Sequence, residues 1–166
     1  MGERILGASG AGPRAWNRGG HTISTDRARI QIDVVHGFLA SSYWAKGIPR
    51  ETVERSVEGS LCFGLYEESG RQIGFARVVS DFATFAWVGD VFVLEEARGR
   101  GLAVWLMEVV AAHPDLQGLR RWILSTRDAH GLYEKCGFRP LARPENFLER
   151  WDPAIYSRIA PQASSD

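Results

Sequence analysis

Residues 102–112 read LAVWLMEVVAA, and only Glu108 carries a charge. A helix that is apolar on nearly every side has to be covered on most of them, so this segment demands a packed layer around it. The chain therefore has to fold as an enclosed domain. Directly before the helix stands Glu95-Glu96-Ala97-Arg98-Gly99-Arg100-Gly101. Two glycines and two arginines at the entrance to a buried helix are a costly choice unless the turn has a task. Helix starts leave backbone N–H groups unpaired and carry partial positive charge. Glycines let the backbone approach an anion closely, and arginines add forked donors. The hinge thus has the chemistry of a pyrophosphate seat, although a plain tight turn with solvated arginines uses the same residues. The segment fits neither G-x-x-x-x-G-K-[ST] nor G-x-G-x-x-G, because position 104 is Val.

Around the hinge the period of the apolar residues changes. SLCFGLYE (60–67), IGFARVVS (73–80) and FAWVGDVFVL (85–94) read as strands joined by the turns ESGRQ and SDFAT, an antiparallel meander. The last strand is the most apolar and is expected to be central. HTISTD (21–26) reads as a short first strand. DVVHGFLASS (33–42) and RETVERSVEGS (50–60) read as helices, with Pro49 starting the second. RRWILST (120–126) reads as a strand, DAHGLYEKC (128–136) as a short helix with Asp128 as N-cap, and GFRPLAR (137–143) as a last strand. The expected order is β-α-α-β-β-β-α-β-α-β, an α/β (α+β) fold with a mixed, mostly antiparallel sheet flanked by helices.

The chain has 166 residues, 45% of them apolar, which suits one folded domain. Residues 1–20 are read as a disordered extension without the apolar segment of a signal peptide, 21–160 as the domain, and 161 onward as a frayed tail. Twenty basic residues balance twenty acidic ones, which argues against nucleic-acid binding through bulk charge. Eighteen of the basic residues are Arg, a side chain suited to phosphate as well as a mark of genome composition. Two cysteines, Cys62 and Cys136, are too few for a disulfide scaffold or a metal cluster, so reduced thiols in a cytoplasmic protein are expected, with no metal. No run of apolar residues reaches the roughly 20 that a membrane span needs.

VFVLEEARGRGLA (91–103) resembles the acetyl-CoA-binding segment of the GCN5-related N-acetyltransferases, the GNAT family, with its R-x-x-G-x-A pattern at Arg98, Gly101 and Ala103. TRDAHGLYEKCGFRPL (126–141) resembles the family's A-x-x-LY-x-x-x-GF segment at Ala129, Leu132, Tyr133, Gly137 and Phe138. The two together cover residues 22–143 with the family's element order. The resemblance implies acetyl-CoA as co-substrate, with the pyrophosphate on the backbone of Arg98, Gly99, Arg100, Gly101, Leu102 and Ala103. It also implies pantetheine against Phe92 and Val93, in a gap where that strand splays from 121–125. Thr126 stands where the family often has a cofactor-touching Asn, and Leu94 where it often has Pro. Tyr133 is the implied general acid at the leaving sulfur. Asp90 and His130 stand as alternative bases beside a water chain, and Asp90 also reads as half of a simple ion pair. Tyr43 and Trp44, in the loop after the first helix, and Phe85 and Trp87, on the central strand, are expected to line the acceptor pocket or to pack on the core.

The expected activity is acetyl transfer to the primary amine of a small molecule. A protein lysine or N-terminal amine, or a non-catalytic acyl-CoA-binding module, stand as alternatives. A homodimer is an expected assembly, with a C-terminal strand or Trp151 as its contact.

Overall fold

The computed structural model describes residues 12–159. A six-stranded sheet runs in sequence order: β1 Ala15–Arg18, β2 His21–Ser24, β3 Leu61–Tyr66, β4 Gln72–Ser80, β5 Phe85–Val93 and β6 Arg121–Leu124. Each pairing is antiparallel except β5 with β6, which is parallel. A parallel neighbour needs a crossover, and α3 (Leu102–Ala111) supplies it.

Two apolar clusters sandwich the sheet. On one face α3 buries Leu102, Trp105, Leu106, Met107, Val109 and Val110 against Phe63, Ala76, Val78, Ala86 and Val88. The nearly all-apolar helix is thus covered on most sides, and its exposed stripe holds Glu108, paired with Arg18 at 3.6 Å. On the other face α1 (Ile32–Ser41) and α2 (Arg50–Glu58) bury Val35, Leu39, Val53 and Val57 against Cys62, Phe75 and Phe92. Two short helices come after β6: α4 (His130–Lys135) and α5 (Ile155–Ile159).

The sequence expectation needs two changes at the ends. Residues 15–18, expected in a disordered extension, form the edge strand β1, because Trp16 packs edge-on against His113 and near Phe63. Residues 137–143, expected as a last strand, run past β6 without a ladder. Pro140 inside the segment and Pro144 just beyond it lack the N–H groups that a ladder needs. The frayed tail expected from residue 161 lies outside the described residues. Among the described residues no helix is long and apolar enough to cross a membrane.

The sheet is irregular at one point of β5. Between the pairs Arg77↔Gly89 and Phe75↔Phe92, β5 has one residue more than β4. This is a bulge, and Asp90 takes the left-handed conformation within it, φ 53°. An extra residue reverses the alternation of faces along β5. Ala86 and Val88 point to the α3 cluster, whereas Phe92 points to the α1 cluster and stacks on Phe38 with ring centroids 3.9 Å apart.

Candidate active site

β5 is paired on both sides only in its first half. Its partners on β6 are Arg121 for Phe85, Trp122 for Ala86, Ile123 for Trp87 and Leu124 for Val88. β6 ends at Leu124, so among the described residues the edge of β5 away from β4 has no strand beside it from Gly89 to Val93. An exposed sheet edge offers main-chain donors and acceptors to an extended ligand. Phe92 and Val93 lie on this open stretch.

The open edge leads into the glycine hinge. Gly99 and Gly101 have φ 76° and 71°, values that favour glycine. A Cβ at either would meet nothing within 4 Å, so the space around the turn is open. Gly101 is the N-cap of α3, and no side chain caps that end. The N–H groups from Gly99 to Val104 have no backbone partner among the described residues. Such a helix end fits an anion without further help. The Arg98 N–H differs, since it donates to the Glu95 carbonyl at 3.1 Å. Its side chain is also engaged: Nε donates to the Val93 carbonyl at 3.0 Å. Arg98 therefore ties the hinge to the strand, while Arg100 is exposed at its tip.

Across the gap, Tyr133 sits in the first turns of α4 and is only 9% exposed. Its hydroxyl makes no hydrogen bond among the described residues. Burial, with smaller contributions from Tyr43, Asp128 and Cys136, pushes its pKa up to about 12. The phenol keeps its proton at neutral pH, which makes it a standing donor and excludes it as a base. His130 lies one turn earlier on α4 and is exposed; it and Tyr133 line a cavity of about 260 Å³ beside β6.

Asp90, the other candidate base, has both carboxylate oxygens engaged. Arg77 Nε donates to Oδ2 at 2.7 Å, and Trp44 Nε1 donates to Oδ1 at 3.1 Å. The ion-pair reading of Asp90 fits this geometry. Thr126 Oγ1 accepts from the Ala129 N–H at 3.0 Å and keeps its own O–H to donate. One further expectation changes. Asp128, expected as the N-cap, instead lies 3.7 Å from the Arg127 guanidinium and caps nothing.

The four acceptor-pocket candidates fall on the α1 face of the sheet or above it. Trp87 and Val79 are register partners and both are exposed there. Phe85 is half-buried at the start of β5. Tyr43 and Trp44 stand in the α1–α2 loop with rings edge-on, 5.0 Å apart. Tyr43 also reaches over the gap: its hydroxyl accepts the Arg127 N–H at 3.1 Å, and the Arg127 guanidinium lies 3.8 Å from its ring centre. The loop is thus held at β5 through Trp44 and at the β6–α4 turn through Tyr43. Sequence reasoning missed three residues here. Arg77 carried a signal, a charge inside an apolar strand. Arg127 and Tyr156, which packs from α5 onto the α1 cluster near Asp90, carried none.

Comparison with known proteins gives consistent matches. The family described as "Acetyltransferase (GNAT) domain" matches residues 58–140. A protein of Gibberella zeae, provisionally named an acetyltransferase, is 32% identical over 145 residues, covering 74% of this chain and 81% of its own. A crystal structure from Xanthomonas campestris pv. campestris, provisionally described as an acetyltransferase of the GNAT family, is 51% identical. It covers 85% of this chain and 99% of its own, with a TM-score of 0.81. Glucosamine-6-phosphate N-acetyltransferase from Arabidopsis thaliana covers 86% and 100% with a TM-score of 0.54. At 17% identity that likeness extends to the fold alone.

Proposed function

Because this chain belongs to the GNAT family of acetyltransferases, we propose that it moves the acetyl group of acetyl-CoA directly to the primary amine of a small molecule. The observation that carries this reading is the continuity of β5's open edge with an uncapped helix end. From Gly89 to Val104 one stretch of chain offers first a strand edge and then a row of unpaired N–H groups. An extended arm ending in a pyrophosphate has that succession of needs.

Acetyl-CoA supplies the thioester whose carbonyl carbon the amine attacks. In this reading the hinge from Gly99 to Ala103 holds the pyrophosphate, and the edge at Phe92 and Val93 orients the arm. A backbone N–H of this edge faces the carbonyl oxygen as it gains charge. The amine must arrive neutral, and its proton leaves to water or to His130. With Asp90 held by Arg77 and Trp44, His130 is the better of the two side-chain candidates. As the C–N bond forms and the C–S bond breaks, the Tyr133 hydroxyl donates to the departing sulfur, and solvent later restores the proton. The Tyr43–Trp44 wall across the gap favours a small acceptor over a polypeptide, which needs an open groove.

Calorimetric titration with acetyl-CoA and with 3′-dephospho-CoA tests the first half. Micromolar binding is expected from both, with the second ligand weaker. A thiol-release assay over a panel of small amines and a basic peptide tests the second half. Acetylation of the peptide alone would replace the small-molecule acceptor with a protein.

A further inference from the structure

The bulge on β5 leaves Gly89 bare on the α1 face, and two donors flank it. A Cβ built at Gly89 would lie 3.1 Å from Trp87 Nε1 and 3.7 Å from Arg77 Nη2, with Trp87 Cδ1 as the other near atom. Neither nitrogen has a hydrogen-bond partner among the described residues. The rest of the Arg77 side chain is fixed: Nε is on Asp90 and Nη1 on Ser60 Oγ at 3.2 Å. The guanidinium is thus held with one edge left over, and that edge faces the same spot as the indole N–H. The two donors are close enough for one carboxylate to reach both, and the missing side chain at position 89 lets it approach.

Apart from the Asp90 carboxylate and the Ser60 hydroxyl that hold Arg77, the surroundings are apolar. Val79 and Trp87 are 39% and 37% exposed, Trp44 is 42% exposed, and Tyr156 of α5 packs beside the Asp90–Arg77 pair. Tyr156 lies outside residues 58–140, the part that matches the family domain, so this wall is a feature of the flanking chain. Gly89 is also the first residue of β5 beyond its β6 partner, so a ligand held there sits at the mouth of the open edge.

We propose that Arg77 and Trp87 form a carboxylate subsite over Gly89, and that the acceptor is an amino acid with an apolar or aromatic side chain, acetylated on its α-amine. This rests on the acetyl-transfer reading above. Paired donors on one carboxylate, one of them charged, raise selectivity for an acceptor that carries it, because an analogue without it leaves the donors to water.

The test compares kcat/KM for L-phenylalanine and for 2-phenylethylamine, which lacks only the carboxylate, at saturating acetyl-CoA. The wild-type protein is expected to prefer phenylalanine by about tenfold or more. Trp87→Phe removes the N–H and keeps a ring, and Gly89→Ala fills the approach with a methyl group. Each is expected to bring the preference toward one, and with Trp87→Phe, in the closed half of β5, the dissociation constant of acetyl-CoA stays within about twofold. Equal use of the two amines, or a preference that neither variant moves, overturns the subsite. So does tight acetyl-CoA binding with turnover of neither amine, which leaves the acetyl-transfer reading standing. Absence of acetyl-CoA binding instead removes the reading on which the subsite rests.

Discussion

The two halves of β5 belong to one strand and have different fates. Phe85–Val88 pairs with β6 along its length and with β4 from Ala86 on, and its inward residues Ala86 and Val88 are buried under α3. Gly89–Val93 keeps its β4 partner, loses β6 and contains the bulge with Asp90 at positive φ. The closed half spends its main-chain groups on two neighbours, and the open half has those of one side left over. A strand of nine residues can therefore anchor a core with one end and present a binding edge with the other. A neighbour five residues shorter is the main device that separates them.

Substitutions should divide along the same line. In the closed layer, Leu106→Ala removes a fully buried side chain from α3. It is expected to lower stability by about 2–5 kcal/mol, measured by urea unfolding, with the acetyl-CoA affinity of the folded fraction unchanged. At the open half the pattern inverts. Tyr133→Phe should reduce kcat about 100-fold with little change in stability or in acetyl-CoA affinity, and unchanged turnover would remove the phenol from the mechanism. Gly101→Val places a β-branched residue at φ 71° where no protein atom crowds it. Strain alone should cost about 1–3 kcal/mol, and acetyl-CoA binding should weaken by about tenfold or more; retained affinity would reduce the hinge to a plain turn.

The smallest expected effect is the pH dependence of stability, which belongs mostly to the closed layer. Burial pushes Cys62 and Tyr66 up to about 12, and Tyr133 likewise. In the unfolded chain these groups release protons from about pH 9 to 10, while in the fold they hold them. Their contribution is therefore complete below that range and is lost as pH rises toward 12. His113 is 2% exposed, and burial lowers its pKa. Below about pH 6.5 the unfolded chain takes up a proton that the fold resists, so stability falls as pH drops. Urea midpoints across pH 5 to 11 should show both limbs, with His113→Gln flattening the acid one.

What the sequence made legible is local. The hinge, α3 and the Tyr133 segment were readable because glycine placement, apolar run and motif spacing all lie within a few residues. β1 was not, since its only core anchor is Trp16 in a Gly- and Arg-rich stretch. The segment 137–143 has a strand's apolar residues, but Pro140 denies it a ladder. Asp128 looked like the cap of α4, but the helix starts one residue later than such a cap requires, with Ala129 at the N-cap position and no side chain capping it. The pairing of Tyr43 with Arg127 spans 84 positions, and that of Arg77 with Asp90 depends on the bulge. Neither can be inferred from spacing along the chain.

Amide hydrogen exchange with and without acetyl-CoA addresses the division of β5 directly. In the free protein the amides of Phe85–Val88 should exchange slowly, and those of Gly99–Val104, with the amides of Gly89–Val93 that point away from β4, should exchange fast. Added acetyl-CoA should slow these two open stretches and leave Phe85–Val88 unchanged. If saturating acetyl-CoA protects neither stretch, the open half of β5 is not its binding edge.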